Sequence, residues 1–154
     1  GRQIDINGNF KDWWTSTDVA EFDRRIAVLG AQYDAFEPLP GQHVNGQLTM
    51  GENIADLGGL LAALDAYHAS LGGKPAPVID GLTGDQRFFL SYTQVRRSKD
   101  SDDFMRATLS NDDHAPNRFR VIGAVRNVDA WYGAFGVKPG EKYYLASGSR
   151  VRIW

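Results

Sequence analysis

The stretch GENIADLGGLLAALDAYHASLGG, Gly51 to Gly73, decides the fold class. From about Glu52 to Leu71 it predicts a helix, and Gly72-Gly73 stops it. At about 100° per residue, Ile54, Leu57, Leu61, Leu64, His68 and Leu71 fall on one side, as an ordinary core stripe does. Glu52 and Asp56 stand on the opposite side, one turn apart, and Gly59 and Ala63 continue their line. A solvated face more often carries Lys, Arg or Gln there. Small residues beside two carboxylates let another backbone come close, and a buried carboxylate needs a cation or hydrogen-bond donors. Spacing alone leaves two readings open. One is an acidic pair favoured by the helix dipole. The other is one carboxylate that ligates a metal and a second that orients a ligand histidine.

Outward from this helix, punctuation divides the rest of the chain into further helical blocks. Thr15-Ser16-Thr17-Asp18 is a capping cluster, and Val19, Phe22, Ile26, Leu29, Tyr33 and Phe36 follow at spacings of three and four. Pro38, Pro40 and Gly41 end that helix. Pro75 and Pro77 make the segment after Gly73 an extended loop. Thr83 begins a third helix with Phe88, Phe89, Tyr92 and Val95 inward, and a short fourth containing Phe104, Met105 and Leu109 follows Ser101. A further helix is expected around Val128, Trp131, Tyr132 and Phe135, ending at Gly136. The run Phe119–Val125 fits either strand or helix. The closing Val-Arg-Ile-Trp reads as a docked tail. With little alternating pattern anywhere, the expectation is one mostly α domain over residues 1–154.

Composition narrows the functional classes. With 154 residues and 42% hydrophobic content, the chain can bury a core of ordinary size. A formal charge of −2 gives no electrostatic reason to expect nucleic acid or anionic lipid as a partner. No apolar run reaches the roughly 18–20 residues of a bilayer span, and no signal peptide is visible at the start. The absence of cysteine excludes disulfides and thiolate metal sites.

Five blocks together resemble the neprilysin-like (M13) zinc metallopeptidases. They are NGQLTMGENIADLGGL (Asn45–Leu60), DWWT (Asp12–Thr15), DQRFFLSYTQV (Asp85–Val95), DDHAPNRFRVIGAVRN (Asp112–Asn127) and VRIW (Val151–Trp154). The resemblance covers nearly the whole chain. It implies the C-terminal helical lobe of a thermolysin-like catalytic domain and a zinc-dependent endopeptidase acting on short peptides. It further implies Glu52 as a zinc ligand and Asp56 as the acid that fixes a ligand histidine. His114 then matches the donor to the developing oxyanion, with Asp112 its acidic partner. Arg120 matches the arginine that binds a substrate carbonyl, and Val95 lines the pocket for the side chain after the scissile bond.

Such a resemblance implies zinc as cofactor and a peptide as substrate. It also implies a partner: the remainder of the catalytic domain, supplying two His ligands. Membrane attachment would come only through an upstream segment, and the expected location is periplasmic or extracellular. The lack of cysteine departs from the disulfide-bonded animal members and points to a bacterial relative.

Departures from the family pattern bear on activity. The chain has three histidines, His43, His68 and His114, and no HExxH, so two zinc ligands and the general-base glutamate are missing. No upstream Asn-Ala substrate-binding segment is present. Arg96 follows Val95 where an aromatic residue is expected. Catalytic zinc uses three protein ligands plus water, so this chain alone is expected to bind zinc weakly or not at all and to be inactive. The alternative is a non-catalytic helical binding or structural module derived from the family.

Other candidates have plainer explanations. His68, on the apolar stripe, reads as a hydrogen-bonded core or boundary residue, and His43 lies in a Pro/Gly loop. Apart from the resemblance, His114 is only a loop histidine beside acids. Asp5-Ile6-Asn7-Gly8-Asn9 reads as a polar turn rather than a calcium loop. Arg96, Arg97 and Lys99 read as a solvated helix end. Trp13 and Trp14 read as a packed helix entry.

Overall fold

The computed structural model describes residues 2–153. Six α-helices run in the order α1 (Ser16–Asp34), α2 (Met50–Ser70), α3 (Gly84–Gln94), α4 (Asp102–Asn111), α5 (Asn117–Val125) and α6 (Asp129–Phe135). A short 3-10 turn, Ser147–Ser149, follows. Among the described residues pairing is limited to isolated bridges such as Ile79↔Leu82, so the class is mostly α. The ambiguous run Phe119–Val125 is helical and lies within α5. Pro116 initiates it, with a fixed φ suited to a helix start.

Local chemistry sets the boundaries. Thr15 and Asp18 form a reciprocal capping box at α1, with Asp18 N donating to Thr15 Oγ1 at 3.1 Å and Thr15 N to Asp18 Oδ2 at 3.3 Å. Thr83 and Gln86 do the same for α3. Gly136, at φ 64°, ends α6 in the left-handed conformation that a side chain disfavours. Trp14 packs edge-on against Phe22 at 5.1 Å, while Trp13 is largely exposed. Asp5 Oδ1 accepts the backbone N–H groups of Asn7 and Asn9, both at 2.9 Å, which makes this segment the expected polar turn.

α2 and α5 pack face to face, α1 lies against both, and α6 lies against α3. The core gathers Leu29, Tyr33, Phe36, Leu57, Leu60, Leu64, Phe89 and Phe119. Phe36 stacks on Phe119 at 4.7 Å, which ties the end of α1 to α5. At Gly123 on α5 an added Cβ would overlap the Tyr33 ring, so α1 and α5 approach more closely than any side chain permits. The tail docks as expected as far as it is described: Val151 and Ile153 are buried, and Val151 N donates to Asn127 Oδ1 at 2.7 Å. Trp154 lies outside the described residues.

Two expectations need correction. Val95 does not face inward. It caps α3 and is 77% exposed, because the helix ends there and the chain turns away. On α2 the buried residues are Asn53, Asp56, Leu57, Leu60 and Leu64. That set is spaced at three, one, three and four, so the core stripe runs through Asp56 rather than opposite it. His68, placed on the stripe by periodicity, is exposed and bonds Asp85 Oδ1 at 2.8 Å. Gly59 and Ala63 do lie on an exposed face, and nothing lies within 4 Å of a Cβ built at Gly59.

Candidate functional site

The α2–α5 contact creates the site. Asp56 sits nearly two turns past the start of α2, with a side chain only 4% exposed. Burial at that level requires compensation, and α5 provides it. Arg120 grips the carboxylate with two donors, Nε to Oδ2 at 2.7 Å and Nη2 to Oδ1 at 2.8 Å. A planar guanidinium matches the two carboxylate oxygens in this way, which a lysine cannot do. A second cation converges from beyond α3: Arg96 Nη2 donates to Asp56 Oδ1 at 2.8 Å. Arg96 was expected on a solvated helix end; it is instead partly buried and paired because Asp56 draws it in.

Glu52 lies one turn N-terminal to Asp56 at the edge of this contact, its side chain 35% exposed. Its Oε2 is 3.4 Å from Arg120 Nη2 and 3.0 Å from His114 Nε2. The other imidazole nitrogen, Nδ1, lies 2.9 Å from Asp112 Oδ1 and 2.9 Å from Asp113 Oδ1. Asp112 also accepts the His114 backbone N–H at 2.9 Å, which locks the turn between α4 and α5. Glu52, Asp56, Asp112, His114 and Arg120 therefore form one continuous charged network, assembled from α2, α5 and the turn before α5. Val95 is outside it.

The electrostatics follow from these contacts. The His114 backbone N–H, and then its ring, hold the Asp112 carboxyl below the usual carboxylate range. The Asp112 hydrogen bond raises the His114 imidazole above its ordinary value; partial burial and Arg120 oppose it, and Glu52 and Asp113 assist. Burial by itself works against the Arg120 charge, yet the Asp56 bond and charge outweigh it, and the guanidinium is held more firmly protonated. Behind the network Tyr33 and Tyr92 each bury a hydroxyl with no hydrogen-bond partner among the described residues. Burial first, and the nearby Asp56 charge second, push both phenols up, Tyr92 to about 12.

A metal site needs convergent donors. Glu52 offers a carboxylate oxygen at an open edge, an appropriate zinc ligand type, and Asp56 is fixed firmly enough to orient an incoming imidazole. Both fit part of a zinc site. Asp112, Asp113 and His114 are the one group of three possible donors brought together among the described residues, and they are consecutive and solvent-facing.

Arg96 and Asp113 are network members that the sequence reading did not assign. Arg96 was visible there as a departure from an expected aromatic and as part of a solvated helix end. A buried acid on α2 with two cations to satisfy it was not readable from spacing.

Comparison with known proteins places these residues in context. The model of peptidase family M13 matches residues 1–151. Neprilysin-3 of Drosophila melanogaster is 35% identical over 158 residues, spanning 100% of this chain and 20% of that protein. Endothelin-converting enzyme 1 of Bos taurus is 39% identical, over 92% of this chain and 19% of its own length. The crystal structure of Mycobacterium tuberculosis zinc metalloprotease ZMP1 with an inhibitor superposes with a TM-score of 0.95 at 49% identity, covering 99% of this chain and 24% of that one. PepO of Lactobacillus rhamnosis gives a TM-score of 0.80 at 36% identity, covering 96% and 22%. The chain thus spans about a fifth to a quarter of the length of these relatives. With a family model matched over nearly its whole length, this chain belongs to peptidase family M13.

Proposed function

We propose that this chain is the C-terminal part of the catalytic domain of a zinc metalloendopeptidase, forming one unit over residues 1–154, and that alone it is inactive. The observation that carries this reading is Asp56: a nearly inaccessible carboxylate, held by two arginines, beside an open-edged Glu52. Glu52 is assigned as one zinc ligand, with two histidines to come from the remainder of the domain. Zinc, when bound, polarises the scissile carbonyl and activates water.

The chain's own residues carry the other roles. Arg96 and Arg120 together take up three acceptor directions of the Asp56 carboxylate. One remains to hold an imidazole in a single tautomer. Asp112 orients His114, whose Nε2 lies 3.0 Å from Glu52 Oε2 here and would turn to charge developing on the carbonyl oxygen once Glu52 ligates zinc; loss of such a donor typically costs roughly 10²–10³ in rate. Arg120 has further N–H groups for a substrate carbonyl. Val95, exposed at the end of α3, is assigned to the pocket beyond the scissile bond. The substrate is a short peptide, and the location is periplasmic or extracellular, as the family resemblance implies.

One carboxylate cannot replace a three-ligand set. After dialysis the 154-residue chain is expected to retain no stoichiometric zinc and to cleave no peptide. Stoichiometric zinc with chelator-sensitive cleavage by this chain overturns that. An upstream coding sequence without HExxH overturns the peptidase reading itself and leaves a helical binding or structural module.

A further inference from the structure

Beside the network lies a cavity of about 450 Å³, bounded by the end of α3, by α4 and by α5. Arg96 both lines this cavity and bonds Asp56, so the cavity opens directly off the charged network. A second cavity of about 290 Å³, lined by His114 and Arg120, shares Asp100, Met105, Pro116 and Asn117 with it. The two cavities adjoin across these shared residues, and the second leads to the donors.

The lining has a distinct character. Met105, Phe119 and Ile122 make part of it apolar, and three guanidinium groups, Arg96, Arg97 and Arg118, reach it, against one acid, Asp100. Arg96 is offset by Asp56, and Arg118 spends one donor on the Tyr143 hydroxyl at 2.9 Å. Arg97 is exposed and makes no ion pair among the described residues. Local charge is therefore positive in a chain whose net charge is −2. An apolar wall with unspent guanidinium donors fits a carboxylate on a short apolar stem.

We propose that this cavity is a specificity subsite for an acidic side chain, Glu or Asp, of the bound peptide, with Arg97 and Arg118 as its carboxylate-binding residues. The assignment rests on the peptide-binding reading above and names which peptides that site prefers. The occupant is an acidic side chain rather than a chain terminus, because the adjoining cavity, lined by His114 and Arg120, leaves room for the peptide to run on beside it.

The test uses the isolated 154-residue chain labelled for NMR, so it reads binding and not cleavage. Three probes are titrated: acetyl-Phe-Glu-amide, acetyl-Phe-Gln-amide and acetyl-Phe-Gln with a free C-terminal carboxylate. The Glu probe is expected to shift Thr93, Arg97, Arg118 and Ile122 saturably, and to bind at least about fivefold more tightly than the Gln amide, the ordinary worth of one partly exposed charge pair. Arg97→Glu, and the milder Arg97→Gln, are expected to remove that preference while leaving the spectrum elsewhere unchanged. Equal binding of the Glu and Gln amides, shifts that map away from the cavity, or no saturable shift each overturns the proposal. Tighter binding of the free-terminus probe overturns the side-chain assignment. A longer polypeptide that fails to cleave peptides while these shifts appear refutes the peptidase reading and leaves the subsite intact.

Discussion

Removing the Asp56 carboxylate is the sharpest perturbation of the network. In Asp56→Ala, Arg120 and Arg96 lose three charge-assisted hydrogen bonds of 2.7–2.8 Å. Arg120, whose side chain is only 13% exposed, keeps the longer 3.4 Å contact to Glu52 as its remaining ion pair. Breaking a buried pair by removing one partner costs roughly 3–5 kcal/mol, because the other charge is left without compensation. For a chain of this size that corresponds to a fall in Tm of roughly 6–20 °C. Urea unfolding followed by circular dichroism measures it, with Arg120→Met and the double variant completing a cycle. Coupling between positions 56 and 120 of about 2 kcal/mol or more is expected. Arg96→Met should cost less, about 1–2 kcal/mol, since the bidentate Arg120 remains. A loss below about 1 kcal/mol in Asp56→Ala would refute the view that this pair organises the α2–α5 contact.

Other consequences concern the same framework. Tyr92, ordinarily near 10.0 and pushed up to about 12, stays neutral in the folded chain while the unfolded chain ionises. The Tyr92 contribution is therefore full below pH 10 and falls by up to roughly 2 kcal/mol as pH rises from 10 to 12; Tyr92→Phe should reduce the fall in alkaline urea titrations, and Tyr33, also pushed up, should supply what remains. Gly123→Ala drives a methyl into the Tyr33 ring and should destabilise by roughly 1–3 kcal/mol by thermal melt; an unchanged Tm would show that α1 and α5 separate easily. Thr15→Ala removes the α1 capping box and should cost about 1 kcal/mol in the same assay, with no change expected at the α2–α5 contact.

The fold was legible where punctuation and period agreed. Thr15, Thr83 and Ser101 cap helices as their side chains predict, and Gly136 ends one. Five helices were readable in this way. The sixth, α5, was not, because Phe119–Val125 is short and β-branched enough to suit a strand until packing on α2 decides it. The stripe on α2 was misplaced for a related reason. Periodicity counts apolar residues, whereas the buried stripe includes Asn53, bonded to Thr49 one turn back, and Asp56, whose charge Arg96 and Arg120 compensate.

The site was legible in another sense. Glu52, Asp56, Asp112, His114 and Arg120 were singled out by resemblance, and the fold brings them into one network. Their spacing alone leaves Glu52 and Asp56 equally explicable by a helix dipole. Long-range pairs such as Arg96–Asp56, forty residues apart, carry no local signature at all. Val95 was expected inward because helical period was extended one residue beyond the helix.

Zinc stoichiometry decides whether Glu52 is a metal ligand. It is measured by elemental analysis on the polypeptide that includes the upstream coding sequence, as wild type and as Glu52→Gln, with this 154-residue chain alongside. The expected result is about one zinc per wild-type polypeptide, a drop of at least about tenfold in Glu52→Gln, and no stoichiometric zinc in the chain alone. Full zinc occupancy in a folded Glu52→Gln polypeptide would contradict it.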